Sequence, residues 1–114
     1  MITIYHNPRC SKSRQTLTLI QTSGQEPQII EYLKTPPTAA ELDSLLKKLK
    51  MEPRDLMRKG EAIYRELKLA EKELSRDEAI ELMIAHPKLI ERPIVVQGQQ
   101  AVLGRPPENV NALL

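Results

Sequence analysis

The chain has 114 residues, 40% of them hydrophobic and only 3% aromatic, which suits one domain with a modest aliphatic core and leaves little room for disorder. The net charge of +2 is mixed along the chain, Lys and Arg form no long run and no aromatics interleave with them, so nucleic acid is not an expected partner. No apolar run approaches the roughly 18 residues of a membrane span, and the single cysteine excludes an internal disulfide and a Cys-rich zinc site.

From these features we expect a cytoplasmic protein without a leader, with no membrane association, no bound cofactor and no metal. Nothing in the surface pattern demands a dimer, so a monomer is expected.

Ile2-Thr3-Ile4-Tyr5 alternates apolar and polar residues and predicts a strand. His6 to Cys10 predicts a turn, because Asn7-Pro8 disfavours continuation of either regular element. From about Ser11 to Thr22 the spacing predicts a helix, with Leu17 and Ile20 on one face and Gly24 capping its end. Gln28 to Tyr32 predicts a second strand, which completes a βαβ unit with parallel strands and a right-handed crossover.

Thr35-Pro36-Pro37 interrupts regular structure, and Thr38 with Glu41 forms a capping box ahead of Leu42, Leu45, Leu46 and Leu49. These four leucines fall on one helical face. Pro53 suits the first turn of a short helix through Met57. Ser75 with Glu78 opens another helix over Ala79, Leu82 and Met83, which His86-Pro87 stops.

Pro93 to Val96 and Gln99 to Leu103 predict an antiparallel hairpin about a Gln97-Gly98 turn, and Pro106 the first position of a last helix to Leu114. The order is β-α-β, a helical insertion over about 36–88, then β-β-α. That is the thioredoxin-like (glutaredoxin-like) arrangement, an α/β fold on a mixed sheet within one domain over 1–114.

Cys10 is the residue that bears on function. A free cysteine is most often a small buried hydrophobe. Here Arg9, Ser11, Lys12, Ser13 and Arg14 surround it, and burying the sulfur would drag charges with it. It also stands where a loop meets the first turn of a helix, where unpaired N–H groups and the helix dipole favour an anion. A free thiol ionises near about 8.5, and such surroundings, Arg14 among them, lower that value. The corner is basic because the working species is a thiolate.

Among thiolate chemistries, a C-x-x-C redox pair is absent, since the motif reads Cys10-Ser11-Lys12-Ser13. The C-x5-R phosphatase loop fails at Thr16. A papain-like site needs a paired histidine, and His6 comes without an evident oxyanion or orienting group. What remains is a nucleophilic thiolate discharged by an external thiol such as glutathione.

The blocks ITIYHNPRCSKSRQTL, EYLKTPP, LMRKGEAIY, LAEKELS, HPKLIERPIVV and GRPPENV, in this order and spacing, resemble the glutaredoxin-coupled arsenate reductase (ArsC-type) family. The NPRCSKSR version resembles a housekeeping branch of it. The resemblance implies a thioredoxin-like fold with a helical insertion. It also implies that Cys10 attacks arsenate to form a thiol-arsenate intermediate, with glutathione as co-substrate and glutaredoxin as the partner that reduces the mixed disulfide. His6 and Ser13 match positions that help hold the thiolate.

Arg58, Arg92 and Arg105 match the arginines that embrace the oxyanion, and permanently charged, bidentate guanidinium groups suit a tetrahedral anion. The resemblance further implies a cis Arg92-Pro93 bond. Two alternatives accompany this reading. One is a glutathione-dependent thiol oxidoreductase acting on another substrate; the other is a non-catalytic, Spx-like regulatory binding protein.

Overall fold

The computed structural model describes Met1–Leu114. Its contacts divide the chain into two compact units, one of Met1–Thr35 with Arg92–Leu114 and the other of Pro36–Glu91. The second unit is the helical block expected between about 36 and 88.

The first unit is built on a four-stranded sheet. β1 (Ile2–His6) lies between β2 (Gln28–Glu31) and β3 (Ile94–Gln97), with β4 (Gln100–Leu103) outermost beside β3. β1 and β2 are parallel, with His6 opposite Glu31. β1 and β3 are antiparallel, with Tyr5 opposite Ile94, and β3 and β4 pair Ile94 with Leu103. This register brings the exit of β1 and the open base of the hairpin to the same end of the sheet. α1 (Ser11–Thr22) joins β1 to β2. Ile2, Ile4, Ile20, Val95, Val110 and Leu113 form the buried core of this unit, from strands, α1 and the C-terminal segment. The connectivity β-α-β followed by β-β-helix on a mixed sheet is thioredoxin-like.

The second unit holds α2 (Ala39–Leu49), α3 (Ala62–Glu66) and α4 (Arg76–Ala85), with 3₁₀ turns at Pro53–Leu56, Leu69–Glu71 and Pro87–Leu89. Both expected capping boxes form: Thr38 with Glu41 at α2 and Ser75 with Glu78 at α4. α2 packs on α4, burying Leu42, Leu45 and Leu46 on one helix and Ala79, Ile80 and Met83 on the other.

Several boundaries differ from expectation. The hairpin turn is Gly98-Gln99, because Gln97 still pairs with Gln100 and Gly98 supplies the positive φ of 61°. The last helix is 3₁₀ and spans Pro107–Leu113. Pro106 is its cap with ψ 160°, since a residue that precedes a proline is pushed out of the helical region. The turn after Pro53 ends at Leu56, and Met57 is drawn into an isolated antiparallel bridge with Ile90. α3 and the Leu69–Glu71 turn were not anticipated; both are short and have no side-chain cap to announce them.

Candidate active site

The loop after β1 is folded by its own side chains. Asn7 Oδ1 accepts from the Arg9 N–H at 3.0 Å, and the Cys10 N–H donates to Asn7 O at 3.0 Å. This Asx turn delivers Cys10 to the N-cap of α1, with φ −95° and ψ 123°. The Cys10 side chain makes no capping bond, while its carbonyl accepts the first helical bond from Arg14 at 3.0 Å. The sulfur is partly exposed and unpaired with any other cysteine.

The charge state of the sulfur follows from its neighbours. Partial burial pushes the thiol up, but hydrogen bonds from the Ser13 N–H, the Arg92 guanidinium and the Lys12 N–H, with the positive charge of Arg92, bring it below its ordinary value. Arg105 Nη1 lies 3.9 Å from Cys10 Sγ and also donates to Arg92 O at 3.3 Å. The two hairpin-base arginines expected from the sequence therefore do meet the cysteine. Both the Arg92-Pro93 and the Arg105-Pro106 bonds are cis; the resemblance implied only the first.

His6 and Ser13 lie one layer below. His6 Nδ1 and Ser13 Oγ are 2.6 Å apart, and the Asn7 N–H donates to the same hydroxyl oxygen at 3.0 Å. Both side chains are buried. Burial holds His6 below the usual imidazole range; the Glu31 charge opposes this and Arg14 adds to it. Burial thus disfavours the imidazolium, and the ring serves here as a hydrogen-bonding group. Ser13 reaches the sulfur through its main chain, while its hydroxyl ties His6 to the loop.

Arg14, expected to help the thiolate, bonds to the loop itself. Its Nη1 donates to Pro8 O at 3.0 Å, bracing the far side of the loop. Arg58 belongs to the second unit. Its main-chain N–H donates to Leu89 O at 2.7 Å, and its Nε stands 3.7 Å from Glu91 Oε1 and 3.9 Å from Glu61 Oε1. Two carboxylates thus hold this guanidinium within its own unit.

The sequence reading missed Thr16 and Gly104, which bond to each other. Thr16 entered it only as the residue that is not a phosphatase arginine. A glycine directly before Arg105-Pro106 was the available signal.

A thiol on a helix N-cap, with the Arg105 guanidinium brought to it across 95 residues of sequence, is the geometry of this end of the molecule. Residues 5–113 match the ArsC family. The chain belongs to the ArsC family. This ArsC-family protein is 54% identical to the uncharacterized protein YfgD of Escherichia coli K12 over 110 residues, 96% of this chain and 92% of that one. It is 50% identical to the arsenate reductase of Escherichia coli K12 over 113 residues, 99% of this chain and 80% of that one. The solved structure of an arsenate reductase from Vibrio cholerae superposes with a TM-score of 0.95 at 51% identity, covering 99% of this chain and 97% of that one.

Proposed function

We propose that this protein reduces arsenate to arsenite through Cys10, with glutathione and glutaredoxin as the external thiols. The observation that carries the reading is the contact between Arg105 and the Cys10 sulfur at the N-terminus of α1. Membership of the ArsC family, and relatives named arsenate reductase, support the same activity.

In the proposed reaction the Cys10 thiolate attacks arsenic(V), an S–As bond forms, and one arsenate oxygen leaves as water after protonation. A glutathione thiolate then attacks the Cys10 sulfur. The S–S bond forms as the S–As bond breaks, and arsenic departs as arsenite with the bonding pair. Arsenic gains two electrons and each sulfur loses one. A glutaredoxin thiolate then attacks the glutathione sulfur of the mixed disulfide and releases the Cys10 thiolate.

Arg92 and Arg105 suit the oxyanion because guanidinium keeps its charge at any working pH and donates along two parallel bonds. The resemblance assigns the same role to Arg58. His6, Ser13 and Arg14 contribute to the thiolate by holding the loop whose N–H groups face it.

The deciding experiment is a coupled assay with arsenate, glutathione and glutaredoxin, run beside Cys10→Ser. Arsenite formation by the wild type and none by the variant is the expected result. No arsenite from a folded wild type would remove arsenate as the substrate. Turnover of a model glutathione mixed disulfide in its place would favour a thiol oxidoreductase.

A further inference from the structure

Thr16 is fully buried although it carries a hydroxyl, and none of the chemistry above uses it. Its Oγ1 faces two carbonyls, Lys12 O at 2.8 Å within α1 and Gly104 O at 3.3 Å on the hairpin. Lys12 belongs to the turn whose N–H groups face Cys10, and Gly104 directly precedes Arg105. One shared hydroxyl proton thus spans the first turns of the helix and the base of the hairpin.

Gly104 is shaped to this contact. A Cβ at that position would stand 2.4 Å from Thr16 Oγ1 and 2.8 Å from Pro93 Cγ, so only glycine permits the approach. The Gly104 N–H donates to Pro93 O at 2.9 Å, closing the hairpin just inside Arg92 and Arg105. A threonine bonded to the carbonyl four residues back is common in helices. That habit accounts for the Lys12 contact, but not for the bond to Gly104 or for a neighbour with no space for a methyl group.

We infer that Thr16, docked on Gly104, is a positioning residue that holds Arg92 and Arg105 in register with Cys10. The inference rests on the thiolate reading of Cys10 and is independent of arsenate.

Because Cys10 is the only cysteine, iodoacetamide alkylation reports on it alone. The pH midpoint of alkylation is measured for the wild type, Thr16→Val, Thr16→Ser, the Arg92→Ala/Arg105→Ala variant and that same variant carrying Thr16→Val. Thr16→Val is expected to raise the midpoint by roughly half a unit to one unit as the guanidinium groups drift from the sulfur. Thr16→Ser keeps the hydroxyl and the wild-type midpoint. Adding Thr16→Val to the Arg92→Ala/Arg105→Ala variant shifts the midpoint no further, because Thr16 acts through the two arginines.

A folded Thr16→Val with the wild-type midpoint overturns the inference. A further shift when Thr16→Val is added to the arginine variant overturns it too, since that describes general loosening. Should Thr16→Val lose its far-UV signal, Thr16→Ala carries the same comparison. A wild-type midpoint at or above about 8.5 overturns the thiolate itself. A lowered wild-type midpoint that Thr16→Val leaves in place overturns the positioning role alone.

Discussion

Arg105 Nη1 stands 3.9 Å from Cys10 Sγ across 95 residues of sequence. The sheet makes this contact: Tyr5 pairs with Ile94 and Ile94 with Leu103, so the loop after β1 and both ends of the hairpin emerge together. A thiolate at a helix N-terminus next to guanidinium donors can attack an electrophilic centre while those donors receive its negative oxygens.

Cys10→Ser should abolish arsenite formation without weakening the fold. Serine is a preferred N-cap residue, and Cys10 makes no capping bond of its own, so the melting temperature should stay level or rise. Activity and thermal unfolding measured on the same preparation check both parts; a large loss of stability would mean the sulfur is a packing element.

Arg92→Ala and Arg105→Ala should each lower kcat/KM with arsenate. A donor used in the transition state is worth about 2–4 kcal/mol, or roughly 10²- to 10³-fold. Arg105→Lys should recover only part of the loss, because an ammonium cannot offer the paired donors of a guanidinium. Steady-state kinetics decide this, and two alanine variants with wild-type kcat/KM would remove the arginines from the reaction.

Folding stability should fall on acidification below about pH 6.5 in part because of His6. Burial keeps its folded-state ionisation below the ordinary value of 6.5, so the unfolded chain binds a proton that the folded chain refuses. The contribution is present above 6.5 and is lost as the pH drops towards the lowered folded value. Urea titrations at pH 7.5 and 5.5 should show a smaller decrease for His6→Gln than for the wild type.

Cys10 obeys the same sign. Its lowered folded-state value makes the thiolate stabilising above the ordinary thiol range, an effect that fades as the pH falls through the folded value. The difference in unfolding free energy between wild type and Cys10→Ser should therefore shift towards the wild type from pH 6 to 9. A pH-independent difference would mean that the sulfur is not held as an anion.

In the helical unit, Thr38→Ala and Ser75→Ala should each cost about 1 kcal/mol, since each side chain accepts the N–H of the residue three positions on. Lys50→Gly should stabilise the same unit by up to about 1 kcal/mol, because Lys50 ends α2 in the left-handed conformation at φ 58°. Chemical denaturation of the three variants measures these differences directly.

The elements with local signals were legible in the amino-acid order: two capping boxes, the alternation of β1, and the glycine and proline punctuation around α1 and the hairpin. Local hydrogen bonding and steric restriction specify those features within a few residues of sequence. The same locality made Cys10 readable, since the helix start and the charged neighbours lie beside it.

What the order of residues could not supply is which distant groups meet. The sequence named Arg92 and Arg105 by resemblance, but only strand register brings them to the sulfur. It placed Arg14 beside Cys10, but the bond from Arg14 to Pro8 O comes from the folded loop. It suggested a role for His6, whose ionisation is lowered by burial. It passed over Thr16 and Gly104, because a contact between a helix face and a hairpin end has no sequence period. Local propensity determined the parts; close packing between segments far apart in the chain decided the chemistry at Cys10.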